Sequence, residues 1–435
     1  MDQAISPSSP VDPSPFTYVV GIDIGSQTCS FSTLKPDKSQ VIKPTDFANA
    51  PAGFAVLLDK LERLGVPPSQ ILIGLEATSR YGENLYRLLE SRGYQLCLLH
   101  PRQTHQFARQ RGLRAKTDKL DAGTIARVLL SGEARRGYVP TDLIATYREL
   151  ARLQTQLTED VTRYRNEIHA LLQVLFPEFS QVFADPCRPT ALALLKLYPS
   201  AQAFVAAGVE TLAAKLHELA PRNYGLHTAQ QLVSLAQHTI SSGVALPARS
   251  TSLKILCDQL EHTQANLLQL EKELETLVKT DTGAKGLQSV PEFAGKTIAV
   301  LRAELGDVER FACSSQAVAY AGLDIEVKQS GKSKGQAKLS KRGSGRIRRI
   351  LYMAVVRCIR LKDSAFGAYY HHLVTRGLPR RAAMMAVMRK MLMVAYRLLK
   401  TQETYDPTKV FAQAVVHSPA SEPQPVQPQL APVGA

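Results

Sequence analysis

The sequence predicts two kinds of architecture in one chain, an α/β domain at the N-terminus and an all-α remainder. Three observations predict it. Between residues 17 and 101, short apolar runs alternate with segments of helical periodicity, the pattern of an α/β layer with a partly parallel sheet. From Leu150 and again from Leu253, apolar residues recur at a 3/4 alternation, as in coiled-coil helices. Beyond Tyr320, Lys and Arg crowd together with glycine before two more segments with apolar helical faces, Ile347 to Leu361 and Arg380 to Lys400.

In chain order, residues 1–16 are rich in Pro and Ser and read as a disordered tail. The run TYVVGIDIG is a buried strand, and Cys29 to Leu34 is a second strand after a turn at Gly25 and Ser26. Gly53 to Leu64 has helical spacing, Ile71 to Leu75 is a short strand ending in Glu76, Tyr81 to Ser91 is helical, and Tyr94 to Leu99 is a strand closed by Pro101. This first domain spans 17–140. The coiled-coil seams are Leu150, Leu153, Leu157, Val161, Tyr164, Ile168, Leu171 and Leu175, then Leu253, Leu256, Leu260, Leu267, Leu270, Leu274 and Leu277, with Thr263 in place of an apolar residue. They frame a middle region, 145–282, whose Ala- and Leu-rich stretch at 180–250 reads as an inserted helical lobe. A mainly helical domain follows at 285–405, opening with a turn that feeds a helix between Leu287 and Leu305. Within it Met384, Met385, Met388, Met391 and Met393 read as core filler, and a Pro-rich tail closes the chain at 406–435.

The 435 residues are 45% hydrophobic and 21% charged, enough for two or three domains with cores of their own. The first residues lack the cationic and apolar regions of a secretory signal. Arg389 and Lys390 interrupt the most apolar helical segment, so no membrane span is expected. Six cysteines at unpaired spacings argue against a zinc site or a disulfide framework and for reduced thiols in the cytoplasm.

Charge is distributed unevenly. Between Tyr320 and Lys400 stand 19 Lys and Arg against Asp324, Glu326 and Asp363, a net of +16 in a chain of net +15. The remainder is therefore close to neutral, and the excess is a local device for meeting a polyanion, nucleic acid above all. Its densest part holds Lys328, Lys332, Lys334, Lys338, Lys341, Arg342, Arg346, Arg348 and Arg349, interleaved with Gly331, Gly335, Gly343 and Gly345.

Four carboxylates in the N-terminal domain are candidates for chemistry. Asp23 interrupts an apolar strand, where an acidic group is costly unless something compensates it, and a divalent metal is one such compensation. Glu76 ends a later strand. Asp118 and Asp121 are spaced to share one face of a helix that Thr117 can cap; acidic residues in a first turn also complement the helix dipole. Oxygen ligands of this kind suit Mg2+ or Mn2+, and paired ions can clamp both oxygens of a phosphodiester exchange.

The segments GIDIG with Asp23, LEATSRYG with Glu76 and KTDKLDA with Asp118 and Asp121 resemble the RuvC-like, RNase H-fold domain of the DEDD transposases of bacterial insertion sequences, the IS110 family. AGLDIEVKQSGKSKGQAKLSKRGSGRIRRILYMA resembles that family's second signature. The match covers about 17–135 and 285–405. It implies a recombinase guided by a bridge RNA, with metal ligands at Asp23, Glu76, Asp118 and Asp121 and a nucleophilic serine at Ser330. It further implies DNA donor and target, a non-coding guide RNA, a homo-oligomer whose subunits share working sites, and a cytoplasmic, nucleoid-associated location. Ser333, Ser340 and Ser344 lie close enough to Ser330 to compete for the assignment.

Other readings are open on the residues alone. A junction-resolving nuclease would use metal-activated water and leave Ser330 incidental. GIDIGSQ also resembles the first phosphate loop of actin-like kinases, although the second Asp-Gly loop and the adenosine motif of that superfamily do not follow. A non-catalytic nucleic-acid-binding protein would need the basic stretch but not four placed carboxylates.

Overall fold

The structure is a computed structural model that describes residues 10–76, 80–110, 118–326, 329–330, 333–334, 338–361 and 363–411, with no account of the side chains at 118–120, 326, 329–330, 333–334, 338 and 410. The chain divides into two compact units. Unit 1 comprises the residues up to Thr141 together with Asp307–Gln316, and unit 2 the residues Asp142–Gly306 and those from Ala317 on.

Unit 1 is built on a five-stranded sheet of β1 (Tyr18–Ile24), β2 (Thr28–Leu34), β3 (Gln40–Ala48), β4 (Ile71–Glu76) and β5 (Gln95–Leu99), in the order β3-β2-β1-β4-β5. The first three strands are antiparallel neighbours, whereas β4 and β5 run parallel to β1. This is the RNase H-like arrangement that the resemblance implies. The sequence does not announce strand β3, because its Lys43 and Pro44 break the apolar pattern; both suit the edge position it occupies.

Alternation along the strands separates two faces. Val20, Ile22, Phe31, Ile73 and Leu75 point to the core shared with α1 (Pro51–Glu62) and α2 (Glu83–Ser91). Val19, Leu34 and Leu72 point the other way, with Ile125, Ala126 and Leu129 of α4 (Asp118–Leu130), while α3 (Pro101–Gln110) starts at the Pro101 that closes β5. Residues 10–16, expected to belong to a disordered tail, are part of the fold. Val11 is buried beside Ala134, donates its N–H to the Ala134 carbonyl at 2.7 Å, and thereby adds an apolar side chain to this core.

Unit 2 is helical. Its two long members, α5 (Asp142–Leu175) and α10 (Leu246–Thr280), lie antiparallel: Tyr147 donates its hydroxyl to the Leu277 carbonyl at 3.2 Å, and Gln154 its amide to Glu271 at 3.1 Å. On α10, Leu253, Leu260, Leu270 and Leu274 of the expected seam are buried, while Leu256, Leu267 and Leu277 are half-buried and Cys257 and Val278 take buried places beside them. Thr263 is buried there too, its hydroxyl satisfied by the Gln259 carbonyl one turn back at 2.7 Å.

On α5 the first half of the seam is displaced. Ile144, Tyr147, Ala151 and Gln154 are buried, while Leu153, assigned to the seam from sequence, is 44% exposed. The hydrogen bonds of Tyr147 and Gln154 to α10 turn the helix by about a residue, a rotation that apolar spacing alone cannot register.

Between the long helices, α6 (Phe179–Val182), α7 (Pro189–Leu197), α8 (Ala201–Leu219) and α9 (Leu226–Gln237) form the inserted lobe around Phe176, Phe179, Phe183 and Phe204. The helix α8 is kinked at Gly208, whose φ of 73° and ψ of 166° are non-helical. Among the described residues, no single helix is long and apolar enough to cross a membrane.

After α11 (Lys285–Gln288) and α12 (Gly295–Leu305), a short helix α13 (Ser314–Tyr320) precedes the basic stretch, and α14 (Gly345–Arg360), α15 (Ala365–Thr375), α16 (Arg380–Thr401) and α17 (Pro407–Val410) complete the fold. A pair of Asp281 and Arg302, 2.7 Å apart and nearly sealed from solvent, ties the end of α10 to α12. Residues 406–411, expected to belong to the Pro-rich tail, are instead part of the fold, with Phe411 buried against Phe366 and Tyr369.

Candidate active site

Two of the four carboxylates stand at the ends of adjacent strands. Ile22 of β1 is paired with Leu75 of β4, so the next residues, Asp23 and Glu76, are neighbours across the parallel pair. Both belong to the face covered by α4: Asp23 follows Val19 and Gly21 in alternation, and Glu76 follows Leu72 and Gly74. Each is partly exposed. Glu76 accepts a hydrogen bond of 2.8 Å from the hydroxyl of Thr104 on α3, which fixes one of its oxygens.

Glycine brings the helix to them. Gly21 and Gly74 are register partners, and together they make a slot without side chains. A Cβ on Gly21 would lie on the Ala122 carbonyl and 2.5 Å from the Ala126 nitrogen; one on Gly74 would lie 2.7 Å from Leu129 Cδ1. The backbone of α4 therefore rests directly on β1, and Asp121, the residue before Ala122, is carried to the neighbourhood of Asp23. Asp118 lies in the first turn of α4, with its side chain outside the described residues; Thr117 also lies outside them.

The same row continues across the sheet. Asp23 is opposite Ser30 on β2, and Ser30 is opposite Asp46 on β3, to which it donates a short hydrogen bond. Asp46 is thus a fifth carboxylate at this level of the sheet, invisible from sequence because Lys43 and Pro44 hide the strand that carries it. Ser30 and Ser32 are buried where α4 covers β2, small residues that leave room for the helix.

These donors are hard oxygens that fit a divalent cation such as Mg2+ better than a soft one. Among the described residues, the ligand atoms of Asp23, Glu76 and Asp121 are not drawn within 4.8 Å of one another, whereas those of His169, Asp185 and Cys187 in the inserted lobe are. That second group is otherwise engaged: Asp185 accepts from Arg165 at 3.0 Å and from the Cys187 N–H at 3.1 Å, and burial pushes the Cys187 thiol up to about 11.

The basic stretch sits in unit 2. Short strands pair Ile325–Glu326 with Lys338–Leu339 and, nested inside them in sequence, Gln329–Ser330 with Ser333–Lys334. Ser330 is thus placed opposite Ser333 by its backbone; its side chain, like those of Lys334 and Lys338, lies outside the described residues, as do Lys328 and Lys332 altogether. Two competing serines have structural partners. Ser340 donates a short hydrogen bond to Asp324, and Ser344 caps α14, accepting from the Ile347 N–H and donating to the buried Glu304 at 2.8 Å.

The cations divide by partner. Arg348 donates to the carbonyls of Ala321 at 2.9 Å and Gly343 at 3.1 Å, closing a turn in which Lys341 has a left-handed φ of 53°. Arg349 pairs with Glu159 at 2.6 Å, and Arg346 lies 3.9 Å from Glu304. Arg342 is exposed, next to Ser340.

An RNase H-like sheet with carboxylates at the ends of its central strands, joined in one chain to a cation-rich helical region, defines an enzyme that works on nucleic-acid phosphodiesters. Residues 20–177 match a family model described as the DEDD transposase of IS110, and residues 284–371 one described as the transposase of the IS116/IS110/IS902 family. The chain is a DNA transposase of this IS110/IS116 kind, an enzyme of strand cleavage and joining. It is 25% identical to the insertion element IS110 43.6 kDa protein of Streptomyces coelicolor, over 67% of this chain and 72% of that one. To the IS900 42 kDa protein of Mycobacterium paratuberculosis it is 26% identical, over 91% and 98% of the two chains. The RuvC of T. thermophilus, solved in complex with a Holliday junction substrate, aligns with 28% of this chain and 99% of its own at 14% identity and a TM-score of 0.22.

Proposed function

We propose that this transposase exchanges DNA strands under the direction of a non-coding guide RNA, through a phosphoserine link at Ser330 formed with the help of Asp23, Glu76, Asp118 and Asp121. The observation that supports it most is the placement of Asp23 and Glu76 on adjacent strand ends, on the face where Gly21 and Gly74 seat the helix carrying Asp121. These carboxylates would hold Mg2+ or Mn2+, which supplies charge neutralisation to a phosphodiester under attack. Thr104 keeps Glu76 oriented for that duty.

In the exchange, the Ser330 oxygen attacks the scissile phosphorus and the bond to the 3′ oxygen breaks. The proton lost by the serine balances the one gained by the departing 3′ hydroxyl, and the phosphate stays esterified to Ser330. Attack by the 3′ hydroxyl of another strand reverses the step and frees the serine, so joining needs no external energy source. The structural engagement of Ser340 and Ser344 supports Ser330 over those two. Lys328, Lys332, Lys334, Lys338, Lys341, Arg342 and Arg346 would hold backbone phosphate without reading sequence, which leaves sequence choice to base pairing by the RNA. The working form would be a dimer or tetramer acting on donor and target DNA at the nucleoid, in the cytoplasm.

Trapping tests the reading. Denatured reaction mixtures should contain protein linked to the 5′ phosphate of a cleaved strand; Ser330→Ala should lose the link while co-purifying RNA persists, and Asp23→Asn should lose cleavage by about 100-fold or more. RNA sequenced from the purified protein should be complementary to both donor and target. Cleavage without any covalent adduct would instead establish a junction-resolving nuclease that uses water.

A further inference from the structure

A cavity of about 630 Å³ opens within unit 2 between α5, α12 and the first turns of α14. Its walls are sorted by chemistry. Val300, Ile350 and Met353 form an apolar side, and Lys296, Arg346 and Arg349 a cationic side. Glu159 pairs with Arg349 across 2.6 Å, and Arg346 lies 3.9 Å from Glu304, a carboxylate it shares with Arg152 and the Ser344 hydroxyl, so the three cations of this wall outnumber the two carboxylates beside them. Lys296 is half-buried, with its Nζ 3.4 Å from the Thr158 hydroxyl, and burial holds its ammonium below the ordinary lysine value. An anion placed beside it would reverse that penalty. The first turn of α14 contains no acidic residue and directs its positive dipole end to the same place.

We propose that this cavity receives one unstacked nucleotide, with its phosphate on Lys296 and Arg346 and its base against Val300, Ile350 and Met353. Size favours a nucleotide over a bare phosphate, because cavities of several hundred Å³ enclose molecules of that class. An apolar wall has no use for backbone phosphate, whereas every base has an apolar face to bury. The inference rests on the reading of the chain as a strand-processing enzyme and adds a way for unit 2 to hold a strand by a single extruded residue.

Calorimetric titration of the full chain with dAMP, AMP, adenosine and inorganic phosphate tests it. The better of dAMP and AMP should bind at least about tenfold more tightly than either adenosine or phosphate, and the preferred sugar assigns the strand to DNA or RNA. Lys296→Ala and Gly345→Leu should each weaken that binding by about tenfold or more. The backbone at Gly345 admits a side chain, since a Cβ there meets only Arg348 Nη2, at 3.7 Å. Phosphate binding as tightly as dAMP and AMP overturns the proposal, as does nucleotide binding that survives both substitutions in proteins with unchanged thermal unfolding. Strand cleavage assayed on the same preparation separates the two readings: cleavage without nucleotide binding sinks the cavity's role alone, and absence of cleavage strikes the enzyme reading.

Discussion

Glu178, at the junction of α5 and α6, joins two distant parts of the inserted lobe. It accepts from the Thr239 hydroxyl at 2.7 Å and from the Ile240 N–H at 3.0 Å. Burial pushes its carboxyl up, but these two donors outweigh that effect and hold it below the ordinary value of 4.5. A carboxyl lowered in the folded state stabilises above its unfolded value and loses that contribution as pH falls through the folded one. Glu178→Gln should therefore lower the unfolding temperature at pH 7, and the gap from the parent protein should close below pH 4.5 in thermal scans. Residues of this kind are silent in sequence, because their meaning comes from a partner sixty positions away. Asp23 and Glu76 were legible for the opposite reason: an acidic residue beside an apolar strand conflicts with its surroundings, and conflict is readable locally.

The decisive element is α4, and what seats it is the absence of side chains beneath it. Gly21→Ala should displace the helix at a cost of more than about 4 kcal/mol, the range reserved for clashes that no rotamer can relieve. Cleavage should vanish although all four carboxylates remain. Gly123→Ala is the control within the same helix, since nothing lies within 4 Å of a Cβ there, and it should stabilise by up to about 1 kcal/mol. Melting curves of the two variants, beside cleavage assays of the first, check both expectations. A glycine inside an apolar strand does signal close backbone approach, so Gly21 and Gly74 carried a legible hint; that they pair with each other required the register. The seam of α5 shows the converse. Its apolar spacing announced a long helix correctly, but polar contacts from Tyr147 and Gln154 chose which face is buried.

Across the whole molecule, chain order and spatial unit do not coincide. Asp307–Gln316 belongs with unit 1, where the Asp307 N–H donates to the Tyr138 hydroxyl at 2.9 Å and the Arg310 guanidinium lies 4.5 Å from the Tyr138 ring centre. A fragment of residues 10–141 should melt at a lower temperature than the same fragment with 307–316 fused through a flexible linker; a scrambled segment should give no gain. Sequence patterns found the elements on both sides of this excursion. They had no means of showing that ten residues return to an earlier unit, because that depends on contacts 169 positions apart.

The antiparallel pairing of α5 with α10 has a consequence of its own. Tyr147 meets Leu277 and Gln154 meets Glu271, so a step forward along one arm is matched by a step back along the other. The hairpin is a telescoping rod: removing a matched heptad from each arm shortens it by about 10 Å while every remaining seam residue keeps its facing partner. The lobe at its far end can thus be drawn in or extended in fixed increments without disturbing the helices at its base, a mechanical freedom that a single long helix would not possess.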